Sequence, residues 1–312
     1  MPRIISLNTM DERTLYTKLV EKHIAAVEAE VKGVRLGQDI EHLHRMRVDL
    51  RRLKSTLADF KETVNSREYQ AAILNIKRLL RSLGQARDID TKISYLTQLA
   101  AGPVTEPAGG KTAPGLKYRE GIFEIIDELR EDRAEIQPRI LKDLSRLHQH
   151  QVFKSIRRLK PTLAETGVTL DEWAKNNILE RLEKMFSLEP YVRQAACVKE
   201  LHEMRIAAKN LRYTLENFEC LYGNKVKPFI FAAMKVQRAL GDMHNFDIWL
   251  GLIKIFKDSS GRDVYFRRAV NFLHEECTLR RAEAYQDFLL IWSRLKKQKT
   301  WARLSYFTLD RP

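Results

Sequence analysis

Apolar residues recur every three or four positions along almost the whole chain, and no stretch alternates apolar and polar residues long enough to call for a strand. The period predicts an all-α fold built from helices of roughly 15 to 30 residues. Proline and glycine gather in AAGPVTEPAGGKTAPG, residues 100–115, which reads as a mobile loop. Further breaks are expected at Gly33–Gly37, Gly84, Lys160–Pro161, Glu189–Pro190, Gly223 and Gly241. Gly84 and Gly241 each follow a leucine and are expected to end helices in the left-handed conformation. Thr169 and Glu172 form a capping box that opens a helix.

One helical pattern occurs twice. His44–Phe60 laid over His202–Phe218, an offset of 158, matches at His, Met, Arg, Leu, Thr, Leu and Phe. Val48/Ile206, Arg51/Lys209 and Lys54/Arg212 exchange within type. Further on, RSLGQARDID (Arg81–Asp90) lies over RALGDMHNFD (Arg238–Asp247) at an offset of 157. Two similar halves, divided as 1–160 and 161–312, are read as an internal duplication of a helical bundle.

Winding both segments at about 100° per residue separates two stripes. Leu43, Met46, Leu50, Leu53, Leu57 and Phe60 form the core stripe of the first, and Leu201, Met204, Ala208, Leu211, Leu215 and Phe218 that of the second. Beside it run His44, Arg47, Arg51 and Lys54 in one half and His202, Arg205, Lys209 and Arg212 in the other. A single-sign row on the flank of a core stripe repels itself. It calls for a partner that carries many negative charges in a line. The next helix of each half adds Lys77, Arg78 and Arg81, and Lys235 and Arg238, whose ordinary role is to complement a helix C-terminus. Asp88, Asp90 and Asp247 are read as helix caps or arginine partners.

The whole chain carries a formal net charge of +14, which steers it towards polyanions. The three cysteines, Cys197, Cys220 and Cys277, form no CxxC pair and read as buried thiols of a reducing compartment. No apolar run is long enough for a membrane span and no leader pattern opens the chain, so a cytoplasmic protein is expected.

HRMRVDLRRLKSTLADF with LGQARDID, and HEMRIAAKNLRYTLENF with LGDMHNFD, together resemble the CHAD family of histidine-containing α-helical domains. The resemblance implies two pseudo-symmetric four-helix bundles whose shared basic surface binds inorganic polyphosphate. It assigns that role to His44, Arg47, Arg51, Lys54, His202, Arg205, Lys209 and Arg212, and extends it to Arg78, Arg81, Lys235 and Arg238. His244 stands where the first half has Arg87, and both are included; the charge of His244 would depend on pH. Association with polyphosphate granules or polyphosphate-metabolising enzymes follows as an expectation, with no cofactor, metal or membrane partner.

The same residues bear on three other functions. Metal binding lacks ligand spacing, because His42/His44 and His148/His150 are two apart and point about 200° apart on a helix. Catalysis would rest on EAEVK, Glu28–Lys32, which matches the ExExK string of triphosphate-cleaving tunnel enzymes; it lies in a helical pattern, where alternate residues do not share a face. A non-catalytic protein is therefore expected. Nucleic acid would be drawn to the same charge, yet Trp173, Trp249, Trp292 and Trp301 sit among apolar residues and read as packing rather than base-stacking platforms.

Overall fold

The computed structural model describes residues 10–37, 39–64, 66–101, 117–163, 167–258 and 262–310. Most of the proline- and glycine-rich segment 100–115 lies outside them. Among the described residues the regular structure is helical throughout, with no strand. The α-helices are α1 (Glu12–Leu36), α2 (Ile40–Asp59), α3 (Arg67–Ala101), α4 (Lys117–Gln149), α5 (Val152–Arg158), α6 (Leu170–Phe186), α7 (Val198–Tyr222), α8 (Lys227–Asp258), α9 (Val264–Lys297) and α10 (Thr300–Leu309). No described helix is long and apolar enough to cross a membrane.

Local chemistry explains several boundaries. Asp11 caps α1 by accepting from the Thr14 N–H, and Gly37 ends it with φ 67°. Thr169 and Glu172 close the reciprocal capping box that opens α6. Gly84 and Gly241 depart from expectation. Each lies inside a continuous helix, α3 or α8, and neither has positive φ. These helices, with α4 and α9, exceed the expected lengths, and at 1.5 Å per residue each is about 50 Å long.

That length creates two cores. The larger core draws on α1, α2, α5, α6, α7 and α10 together with one end of α3, α4, α8 and α9. The smaller joins the far ends of those four long helices, among them Leu96, Ile122, Ile126, Trp249, Phe266 and Leu273. Neither core belongs to one half of the chain. Between the two levels lie matched ion pairs, Arg133 with Asp90 at 2.9 Å and Arg281 with Asp247 at 2.8 Å. Asp90 and Asp247 are thus arginine partners rather than caps.

α2 packs on α7. Both core stripes are fully buried, with Phe60 and Phe218 on either side of Trp173 at ring distances of 4.6 and 5.4 Å. Crossed hydrogen bonds join the helices: Thr214 Oγ1 donates to Asp59 at 2.9 Å and Thr56 Oγ1 donates to Asn217 at 3.2 Å. Thr56/Thr214 and Asp59/Asn217 are both 158 apart. Such crossing is what a local two-fold axis between α2 and α7 produces. Asn217 also donates to Asp59 at 2.7 Å, yet burial still pushes the Asp59 carboxyl up to about 6.

Candidate functional site: the cationic α2–α7 seam

The first stripe reaches the seam from α2 and the second from α7. His44, Arg47, Arg51, His202, Arg205, Lys209 and Arg212 are half-buried, while Lys54 is exposed. The electrostatic neighbours of Lys209 are Arg51, Arg205, Lys54 and Arg47, so cations of both stripes meet. Burial first, and then these four charges, bring the Lys209 amine down to about 7. Arg47 and Arg205 are lowered in the same way, by burial and by neighbouring arginines that include Arg51 for both.

The glycines of the second motif make room for the arginines of the first. A Cβ on Gly84 would stand 3.8 Å from Arg47 Nε, and one on Gly241 would stand 3.3 Å from Arg205 Nε. The guanidinium groups therefore lie against the backbone of α3 and α8. Gly84→Ala should raise stability by about 0.5–1 kcal/mol through helix propensity, since its contact is ordinary. Gly241→Ala should gain less because Arg205 must yield. Thermal unfolding of the two variants checks this ordering, and an equal gain would deny the closer Arg205 contact.

The surroundings of the imidazoles oppose their protonation. His202 stacks on His244 with ring centroids 3.9 Å apart. Burial and then the His202 and Arg205 charges push His244 down to about 4, and burial with adjacent arginines also lowers His44 and His202. All three are therefore harder to charge than an ordinary imidazole. Their Nδ1 atoms are buried without a hydrogen-bond partner, as are the Nε atoms of Arg51 and Arg205. Five of the expected residues, and Arg212 through its Nε as a sixth, thus hold unused hydrogen-bonding capacity around one seam.

Acids touch the cluster at its margins. Arg47 lies 3.8 Å from Asp88, which is exposed, and Arg87 lies 3.6 Å from Glu41. Glu216 bridges Arg52 and Arg212, each at 3.4 Å, although the Arg212 contact is not a hydrogen bond. The Arg212 guanidinium also lies over the Tyr213 ring at 4.7 Å. Asp88 is thus the arginine partner that its motif allowed, whereas Glu41 and Glu216 carry no signal in the repeat. Asp88 is an asymmetry, because Asn245 occupies its place in the second half.

Other expected residues lie apart. Lys235 and Arg238 line a mixed-charge groove of about 520 Å³ between α8 and α9, with Asp242, Glu283, Asp287 and Arg280. Arg78 and Arg81 are exposed on α3, and among the described residues they make no ion pair. Lys77 of that group acts on the stripe through Lys54.

Glu28 and Glu30 of the ExExK string sit on α1, where Glu28 meets Arg157 at 3.3 Å and Glu30 meets Arg45 at 2.7 Å and His42 at 2.6 Å. Among the described residues no group of three or more His, Cys, Asp or Glu is placed to hold a metal. All four tryptophans are buried. Cys277 is buried and Cys197 and Cys220 are half-buried free thiols; burial pushes Cys277 up to about 12.

A family model described as the CHAD domain matches residues 18–254. The fold is similar to the crystal structure of the CHAD domain from the plant Ricinus communis, at 21% identity, 90% coverage of both chains and a TM-score of 0.66. It is also similar to PptA from Streptomyces chartreusis, at 13% identity, 89% coverage of this chain and 98% of that one, with a TM-score of 0.68. No curated protein matches the sequence.

Proposed function

The chain belongs to the CHAD-domain family, and from that premise we propose that it binds inorganic polyphosphate along the α2–α7 seam and performs no chemistry on it. The observation that carries this reading is the meeting of two cationic stripes, in which Arg51 of α2 is the charge that acts most strongly on both Lys209 and Arg205 of α7. A linear polyanion would replace that mutual repulsion with charge-assisted hydrogen bonds to Arg47, Arg51, Arg205 and Lys209. The imidazoles of His44, His202 and His244 would add donors. Half-burial of these groups favours a thin, flexible phosphate chain over a duplex, whose width keeps its phosphates at the surface. Polyphosphate granules and the enzymes that act on the polymer are the associations this activity would serve.

Competition is the test. Long-chain polyphosphate should displace labelled DNA at matched phosphate and salt, and its affinity should fall as salt rises. Affinity should also climb steeply with chain length, because each bound phosphate raises the effective concentration of the next. Preferential retention of DNA, or equal affinity for orthophosphate and the long chain, would sink this reading.

A further inference from the structure

Lys209 of α7 faces Arg47, Arg51 and Lys54 of α2 and Arg205 of its own helix. His202 of α7 feels Arg205, Lys209 and Glu203 from its own helix and Asp247 from α8, and stacks on His244. His244 of α8 faces His202 and Arg205. His44 of α2 faces Glu41, Arg47 and Arg51 of that helix and Arg87 of α3. Asp88 of α3 and Asp242 of α8 act on Arg205, and Asp247 is held by Arg281 of α9. Four titratable bases thus sit among fixed guanidinium charges, and the acids around them are fewer and partly committed.

On the reading that this seam holds polyphosphate, we propose that it takes up protons as it takes up the polymer, so that acidification tightens binding. Without the polymer, a proton added to Lys209 joins four cations. With the polymer in place, the same proton meets phosphate oxygens, and the local field changes sign. Lys209, half-protonated near pH 7 in the free protein, becomes fully charged in the complex. The stacked histidines respond in the same direction at lower pH, because burial and neighbouring cations oppose their protonation in the free protein and their buried Nδ1 atoms are unpartnered. A group neutral in the free protein and charged in the complex changes affinity by up to about tenfold per pH unit between its two pKa values. Asp88 opposes the mutual repulsion at Arg47 and Arg205.

The measurement is calorimetric titration of the full chain with long polyphosphate of defined length, at fixed salt, from about pH 6 to about pH 9, in buffers of different ionisation enthalpy. Long chains keep the titrating polymer ends few. The expected result is a buffer-dependent heat that reports net proton uptake, with affinity falling roughly tenfold per pH unit above neutrality. Lys209→Arg keeps its charge at every pH used, so it should bind and lose that alkaline slope. His202→Gln with His244→Gln should remove uptake on the acidic side. Tight binding with buffer-independent heats overturns the proton linkage and leaves polyphosphate binding standing. Uptake unchanged in both variants assigns the protons to the polymer and also overturns it. Failure of the native chain to bind at any pH removes the polyphosphate reading itself.

Discussion

Arg47→Glu combined with Arg205→Glu should weaken polyphosphate binding by about 3–6 kcal/mol, roughly a hundredfold to more than ten-thousandfold. Each substitution deletes a charge-assisted donor and places a negative charge beside the bound chain. The two positions are equivalent in the repeat, each lying against a helical glycine, so neither half is left intact. The control is Lys257→Glu with Lys297→Glu, which changes the net charge by the same four units at exposed positions near the ends of α8 and α9. Salt screens such distant charges beyond about 8 Å at physiological ionic strength. The control should therefore lose far less affinity. Circular dichroism establishes that both proteins are folded, and Arg47→Gln with Arg205→Gln separates lost donors from added repulsion. Similar losses in the two charge-matched variants would show that bulk charge, not the seam, holds the polymer.

The sequence exposed the seam well because helical periodicity and repetition report the same thing. A cation at i, i+3, i+7 and i+10 stays on one flank of a helix, and the core stripe tells which flank that is. Burial of Leu43, Met46, Leu50 and their counterparts follows directly. What periodicity does not carry is the third dimension. Lys235 and Arg238 share a helix with His244, yet they face the α8–α9 groove, because nine and six residues at about 100° each turn their side chains roughly 180° and 120° away from it. The glycines misled for a related reason. Gly after Leu ordinarily ends a helix, but at Gly84 and Gly241 the missing side chain leaves space for an arginine from another helix. One further signal lies in the polar residues of the buried face. Polar Thr56 and Thr214 recur on the buried face with Asp59 and Asn217 three residues on, and a polar pair at matched core positions needs a partner across an interface.

Lys209→Met should make the free protein more stable at neutral pH, on the order of a few kcal/mol, with a melting temperature several degrees higher. The amine is brought down to about 7 in the folded chain, from an ordinary value of 10.5, by burial and four cationic neighbours. The unfolded chain therefore holds this proton more tightly than the folded one. Below about pH 7 the native protein bears the full unfavourable term, and stability climbs with pH until the lysine also titrates in the unfolded chain. Methionine has similar length and no charge, so it removes both the term and its pH dependence. Lys209→Arg keeps the charge and should show no such gain. Thermal unfolding of the native and both variant chains at about pH 6, 8 and 10 reads the difference directly, because other alkaline titrations are common to all three. A methionine variant no more stable than the native chain at neutral pH would mean that Lys209 is not opposed by its neighbours. If the gain is found, the residue is one the fold tolerates rather than one that holds it together. A bound polyanion is what would turn its charge from unfavourable to favourable, which is why its removal should strengthen the fold and weaken the complex together.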